Sequence, residues 1–268
     1  MVATVGALVR ACHPAPTAAV TALAALLAVA AGHGRGRVAV VGLAVLLGQL
    51  SIGWCNDLVD AERDRRVGRR DKPTVTGELP LPTLRWALIV ATVMCVLVSA
   101  LLGPWAGAVH LGLLVGSGWV YNVRLKRTVF SWLPYLVAFG SLPAVAWAAL
   151  DPPQPPPVWT VAVGALLGVG AHLVNVLPDL DDDAATGIRG LPHRLGARVT
   201  TVLAVAVLMA GSVVAVLGPA GDTPAWAWLV LAGIVTLAVL ALVRGGRAPF
   251  RAALVIALAN VVVLLLRA

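Results

Sequence analysis

The sequence predicts an all-α integral membrane protein of about nine transmembrane helices, on three observations. Of its 268 residues, 60% are hydrophobic and only 12% charged, with a mean hydropathy of +0.93, against about 45–50% apolar residues in soluble domains. Apolar runs near the roughly 20 residues that span a bilayer recur along the whole chain. Backbone amides in hydrocarbon must bond within their own segment, and a barrel would show short alternating strands, so the runs are read as helices.

In order, the runs lie at about 17–32, 38–57, 83–102, 105–121, 129–150, 158–177, 198–217, 225–243 and 248–266, bounded by charges or by Pro and Gly. The first is too weakly set off to read as a removable signal and is kept as a helix. Two similar four-helix halves, about 17–121 and 129–243, with a final helix at 248–266, make the whole of 1–268 one polytopic membrane domain with an internal duplication. Asp151 to Pro157, rich in proline, is a stiff spacer between the fifth and sixth runs.

Charge placement sets the expected orientation. Nine spans put 17 of the 20 Lys and Arg residues on one side with the N-terminus, leaving Arg35, Arg37 and Arg267 on the other. By the positive-inside rule the basic side is cytoplasmic, so the N-terminus is expected inside and the C-terminus outside, in the plasma membrane. This asymmetry accounts for the net charge of +8 without nucleic acid. Cys12, Cys55 and Cys95 have neither disulfide nor zinc-site spacing.

The second run ends in Asn56-Asp57-Leu-Val-Asp60-Ala-Glu-Arg-Asp64. If the helix continues, Asn56, Asp57, Asp60 and Asp64 share one face. Carboxylates so spaced repel, and a cation is expected between them. Hard oxygen donors without a His or Cys cluster favour magnesium, which tends to bridge carboxylates to phosphates, so a phosphorylated substrate is indicated. The sixth run repeats the device, with Asn175, Asp179, Asp183 and Gly187 at intervals of four and Asp182 near the same face. Both clusters fall on the cytoplasmic side. Bases follow: Arg69 to Lys72 after the first, Arg124, Lys126 and Arg127 after Tyr121, and Arg189 after the second, placed to neutralise phosphate oxygens.

Asn56-Asp57-x-x-Asp60-x-x-x-Asp64 resembles the first motif of the UbiA superfamily of intramembrane prenyltransferases, an aromatic-prenyltransferase-like group. Asp179-x-x-x-Asp183-x-x-x-Gly187 resembles its second motif, and Lys72-Pro-x-x-x-Gly77 its basic-Pro loop. The resemblance implies a helical barrel around a central cavity, closed by a cytoplasmic cap. In that picture Mg2+ on Asp57, Asp60, Asp64, Asp179 and Asp183 holds a prenyl diphosphate, with Asn56, Lys72, Tyr121, Lys126, Asn175 and Arg189 binding substrate. Ionisation gives an allylic cation, which an aromatic or lipid-like acceptor attacks. Three features depart from the commoner family pattern: Leu125 stands where a base often follows the tyrosine, Lys72 where Arg is frequent, and Gly190 where a hydroxyl residue is common.

Aromatic faces at Trp54, Trp119 and Tyr121 are candidates to stabilise the cation, by about 0.5–2 kcal/mol. Plainer readings apply to other residues: Asp181, Glu62 and Asp71 as loop charges, Arg63, Arg65 and Arg66 as topology signals and anionic-lipid contacts, and His110 and His172 as satisfied or cavity-facing histidines within apolar spans. Two other functions are compatible with the sequence. A membrane terpene cyclase would share the metal chemistry but use no acceptor, and a secondary transporter would share the paired halves.

Overall fold

A computed structural model describes residues 2–180, 183 and 187–268. Its helices are α1 (Val2–Ala11), α2 (Pro14–Ala30), α3 (Arg35–Val67), α4 (Pro73–Thr76), α5 (Leu81–Ala100), α6 (Pro104–Val109), α7 (Gly116–Val123), α8 (Leu133–Ala148), α9 (Val158–Val176), α10 (Leu191–Leu217), α11 (Ala225–Arg244) and α12 (Ala248–Arg267). No strand occurs among the described residues. The all-helical expectation therefore holds, and broad apolar faces left exposed, such as Trp86, Val90 and Leu97 on α5 or Leu229, Leu240 and Val243 on α11, are surfaces for lipid.

Among the described residues, six helices are each long and apolar enough to cross a membrane: α3, α5, α9 extended to Asp179, α10, α11 and α12. They become seven if α1 and α2, bent by 68°, count as one. The fourth and fifth apolar runs fall outside that group for local reasons. The fourth is interrupted by a π-helical turn at His110–Val115 between α6 and α7. The fifth begins in turns, so α8 starts only at Leu133 and has 16 residues, with Pro143 inside it.

Helix α3 has 33 residues, about 50 Å at 1.5 Å per residue, well beyond the roughly 30 Å of a hydrocarbon core. Val38 to Cys55 contains no charge. Asp57 lies 20 residues after Arg37, about 30 Å along the axis. Membrane thickness thus places Arg37 and Asp57 at opposite ends of the apolar stretch.

The chain forms two compact units, residues 1–124 with 145–154 and residues 125–144 with 155–268. In the first, Arg37 donates to the carbonyls of Leu101, Leu102 and Ala149, satisfying acceptors at helix ends that have no intrahelical partner. Gly53 lets the α1–α2 bend rest on α3, since a Cβ there would meet the Cys12 carbonyl oxygen at 2.7 Å. In the second unit α8 and α9 cross closely through Gly164 and Gly168, where added Cβ atoms would meet the carbonyl oxygens of Phe139 at 2.6 Å and Tyr135 at 2.2 Å. Asn260 on α12 donates to the Leu208 carbonyl and accepts from Ser212, bonding two polar side chains inside an apolar interface.

Candidate functional site

Helix α3 continues past the apolar stretch and carries the first carboxylate cluster into the first unit. Asp57, Asp60 and Asp64 are 1%, 3% and 2% exposed, on one face as i, i+3, i+7 spacing requires. Three buried carboxylates need counter-charge. The side chain of Arg63 supplies part of it, with Nη2 3.1 Å from both Asp60 Oδ2 and Asp64 Oδ1. Lys72, carried back by the turn after α3, donates to Asp57 Oδ1 at 2.6 Å.

A third group comes from the bend between α1 and α2. His13 has φ 55° and ψ 70°, a left-handed conformation uncommon outside glycine. Its Nε2 lies 3.2 Å from Lys72 Nζ and 3.4 Å from Asp57 Oδ1. Helix α1 is held there by Ala7, Ala11, Leu79 and Leu84, with Leu8, Trp54 and Leu58 packed against them, and by an Arg10–Glu78 ion pair.

Asn56 donates to Asn122 Oδ1 at 3.1 Å, and Asn122 in turn donates to the Ile52 carbonyl at 2.9 Å, tying α7 to α3 beside the cluster. Tyr121 is half-buried on the same short helix. Trp54 donates to the Leu8 carbonyl at 3.0 Å and Trp119 to Ser51 Oγ at 3.3 Å. Trp54 thus helps to seat α1 through its indole N–H. Asp71 is bound by both ends of the Arg69 guanidinium, and that hydrogen bonding holds its carboxyl below the ordinary range. Glu62 pairs with exposed Arg65 and Arg66.

The second cluster, in the second unit, is less regular. Pro178 lies in a 3-10 turn at Leu177–Asp179, so the α-helical interval of four does not run unbroken from Asn175 to Asp179. Asn175 is exposed, while Asp179 and Asp183 are half-buried. The expectation for Asp181 and Asp182 lies outside the described residues. Asp183 Oδ2 is 3.5 Å from Nε2 of His193, whose side chain is 6% exposed. The Ile188 N–H donates to the Asp183 carbonyl at 2.9 Å.

Of the three bases after Tyr121, Lys126 is buried whereas Arg124 and Arg127 are exposed; Arg189 is also exposed. The structure thus joins Asp57 to Lys72, Asp60 and Asp64 to Arg63, and Asn56 to Asn122. Arg63, taken from sequence as a topology signal, is a counter-ion inside the cluster. His13, Asn122 and His193 carried no signal, because each meets its partner through chain geometry rather than a motif. His110 and His172 each meet a buried serine through one ring nitrogen, Ser99 at 2.8 Å and Ser131 at 3.0 Å, while His110 Nε2 is buried with no hydrogen-bond partner among the described residues.

Among the described residues no three His, Cys, Asp or Glu side chains stand close enough together to hold a metal as they are. The donor chemistry nevertheless fits magnesium. Asp57 Oδ2 is buried with no hydrogen-bond partner among the described residues, a costly state for a carboxylate oxygen that a cation would relieve. Asp60 and Asp64 offer further hard oxygens of the kind magnesium takes.

A model of the UbiA prenyltransferase family matches residues 18–265. The chain is 37% identical over 174 residues to the bacteriochlorophyll synthase 33 kDa chain of Cereibacter sphaeroides, covering 60% of this chain but only 54% of that protein. It is 32% identical over 200 residues to digeranylgeranylglyceryl phosphate synthase of Methanoculleus marisnigri, covering 72% and 68%. In fold it resembles a UbiA homolog from Aeropyrum pernix K1, with TM-score 0.73, 17% identity and coverage of 93% and 97%. It also resembles a UbiA homolog from Archaeoglobus fulgidus bound to DMAPP and Mg2+, with TM-score 0.71, 14% identity and coverage of 96% and 98%.

Proposed function

The chain belongs to the UbiA prenyltransferase family, and on that footing we propose that it is a magnesium-dependent intramembrane prenyltransferase. The substrate is a prenyl diphosphate and the acceptor an aromatic or lipid-like nucleophile. The observation that carries this reading is the first cluster: three buried carboxylates at the end of a membrane helix, neutralised by Arg63 and Lys72, with one Asp57 oxygen left for a cation.

Asp57, Asp60 and Asp64, with Asp179 and Asp183 of the second unit, are the proposed metal ligands. When bound, magnesium would draw charge from the diphosphate and make it a better leaving group. Lys72, Lys126 and Arg189 offer donors to phosphate oxygens, Asn56 and Asn175 offer amides, and Tyr121 lines the substrate. The C1–O bond of the prenyl diphosphate breaks, its electron pair leaving with pyrophosphate. A pair from the acceptor then forms the new bond to C1, and the acceptor releases its proton. Apolar surroundings keep water from the cation.

The proposed topology has nine passages, counting 104–123 and Leu133–Ala148 as well as the longer helices and the bent pair. The basic loops and the metal-binding cap face the cytoplasm, in the plasma membrane. The support is the 17 cationic residues assigned to that side.

Purified protein in detergent, given geranyl diphosphate and Mg2+, tests the reading by pyrophosphate release with and without a panel of acceptors. Release that depends on acceptor and is stopped by EDTA is expected. A cyclic hydrocarbon or alcohol formed without any acceptor would instead identify a terpene cyclase, and absence of release together with substrate flux in vesicles a transporter.

A further inference from the structure

We propose that Ser131 and His172 form a buried latch that positions Lys126 and Arg189 for the diphosphate, supplying from elsewhere in the chain the hydroxyl that Gly190 lacks. This inference rests on the prenyl diphosphate reading above.

Helix α10 starts at Leu191 with Gly190 as its N-cap, in extended conformation and without a side chain to accept a first-turn amide. The Oγ of Ser131, 60 residues earlier, accepts the Leu191 N–H at 3.0 Å. Glycine is required at 190 for this to happen. A Cβ there would lie 2.8 Å from Ser131 Oγ and 2.9 Å from the Lys126 carbonyl oxygen. The loop bearing Arg189 is therefore pressed directly on the backbone of Lys126.

The Ser131 hydroxyl still needs an acceptor for its own proton, because Ser131 is buried. His172 Nε2 lies 3.0 Å away and accepts that proton in the tautomer protonated at Nδ1. The imidazole is buried, and the Tyr135 ring lies over it with centroids 4.9 Å apart. His172 sits on α9 three residues before Asn175 and seven before Asp179. One serine thus pins the segment carrying Lys126, the helix leading into the second cluster and the loop carrying Arg189. Neither Ser131 nor His172 is assigned a contact with substrate; both act through the groups they hold.

Binding of geranyl diphosphate with Mg2+ to the detergent-solubilised full chain, by titration calorimetry, tests the latch, together with hydrogen exchange over 187–193 and steady-state kinetics. Ser131→Ala and His172→Leu should each weaken binding about tenfold, within the range for residues that orient ligand-binding groups. The double variant should be no weaker than either single, KM should rise while kcat changes less than about threefold, and exchange over 187–193 should accelerate. Ser131→Thr, which keeps the hydroxyl, should restore affinity; if Ser131→Ala does not fold, His172→Leu carries the test.

Wild-type affinity in a folded variant with accelerated exchange would overturn the positioning role, as would losses that multiply in the double variant. Failure of the wild-type protein itself to bind geranyl diphosphate would overturn the prenyl diphosphate reading and the latch with it.

Discussion

Lys72 donates to one oxygen of Asp57 at 2.6 Å while the other oxygen of that carboxylate is buried with no hydrogen-bond partner among the described residues. The lysine neutralises the charge without satisfying the group, which leaves one buried oxygen without a hydrogen bond on a carboxylate that is already held in place. Lys72 is 15 residues along the chain from Asp57, and only the reversal after α3 brings them together.

Asp57→Ala, Asp64→Ala and Asp183→Ala should each lower turnover by at least about a hundredfold while the protein still inserts and folds. Pyrophosphate release measures the first effect and size-exclusion chromatography the second. EDTA should reproduce the loss in the wild-type protein and added Mg2+ should reverse it; full activity in EDTA would remove the metal from the mechanism.

Arg63→Met leaves Asp60 and Asp64 without the guanidinium that lies 3.1 Å from each. Removing one partner of a buried pair costs about 3–5 kcal/mol. Partial exposure of Arg63 brings the expected loss to roughly 1–3 kcal/mol. Thermal unfolding in EDTA should shift down accordingly, and Mg2+ should recover more of the loss than it adds to the wild type. Identical Mg2+ shifts in both proteins would separate Arg63 from the metal ligands.

Lys126→Ala should weaken diphosphate binding more than Arg189→Ala, since Lys126 is buried and Arg189 exposed to solvent screening. Losses of about tenfold and about threefold are expected by calorimetry. The reverse order would place Arg189, not Lys126, nearest the phosphates.

Gly168→Ala should destabilise the second unit by at least about 1–3 kcal/mol, because its Cβ would stand 2.2 Å from the Tyr135 carbonyl oxygen and backbone cannot easily yield. Gly233→Ala, where a Cβ meets nothing within 4 Å, is the matched control. Equal melting temperatures for the two variants would mean that α8 and α9 do not approach as described.

Cys12, Cys55 and Cys95 are all buried, so single cysteines added on the loops can be labelled over a low background. In intact cells an impermeant maleimide should modify a cysteine at Pro153 and spare one at Arg70. The opposite pattern would invert the proposed topology.

Motif 1 was legible in the sequence because α3 is one unbroken helix from Arg35 to Val67, so i, i+3, i+4 arithmetic applies throughout. Motif 2 was less so: the 3-10 turn at Pro178 changes the register that the same arithmetic assumes. The departure at Gly190, a missing hydroxyl when read along the chain, is answered by Ser131 across it.

The sequence by itself determined the membrane class, the approximate places of the helices and the shared face of Asp57, Asp60 and Asp64. Each depends on the hydrophobicity and spacing of near neighbours, which the geometry of one helix turns directly into faces and lengths. Tertiary structure alone decided which charge each carboxylate meets, that a strained His13 reaches Asp57, and that Ser131 and His172 secure the loop of Arg189. Those pairings depend on where turns and helix crossings return the chain, over separations as long as 60 residues, and no local periodicity encodes them.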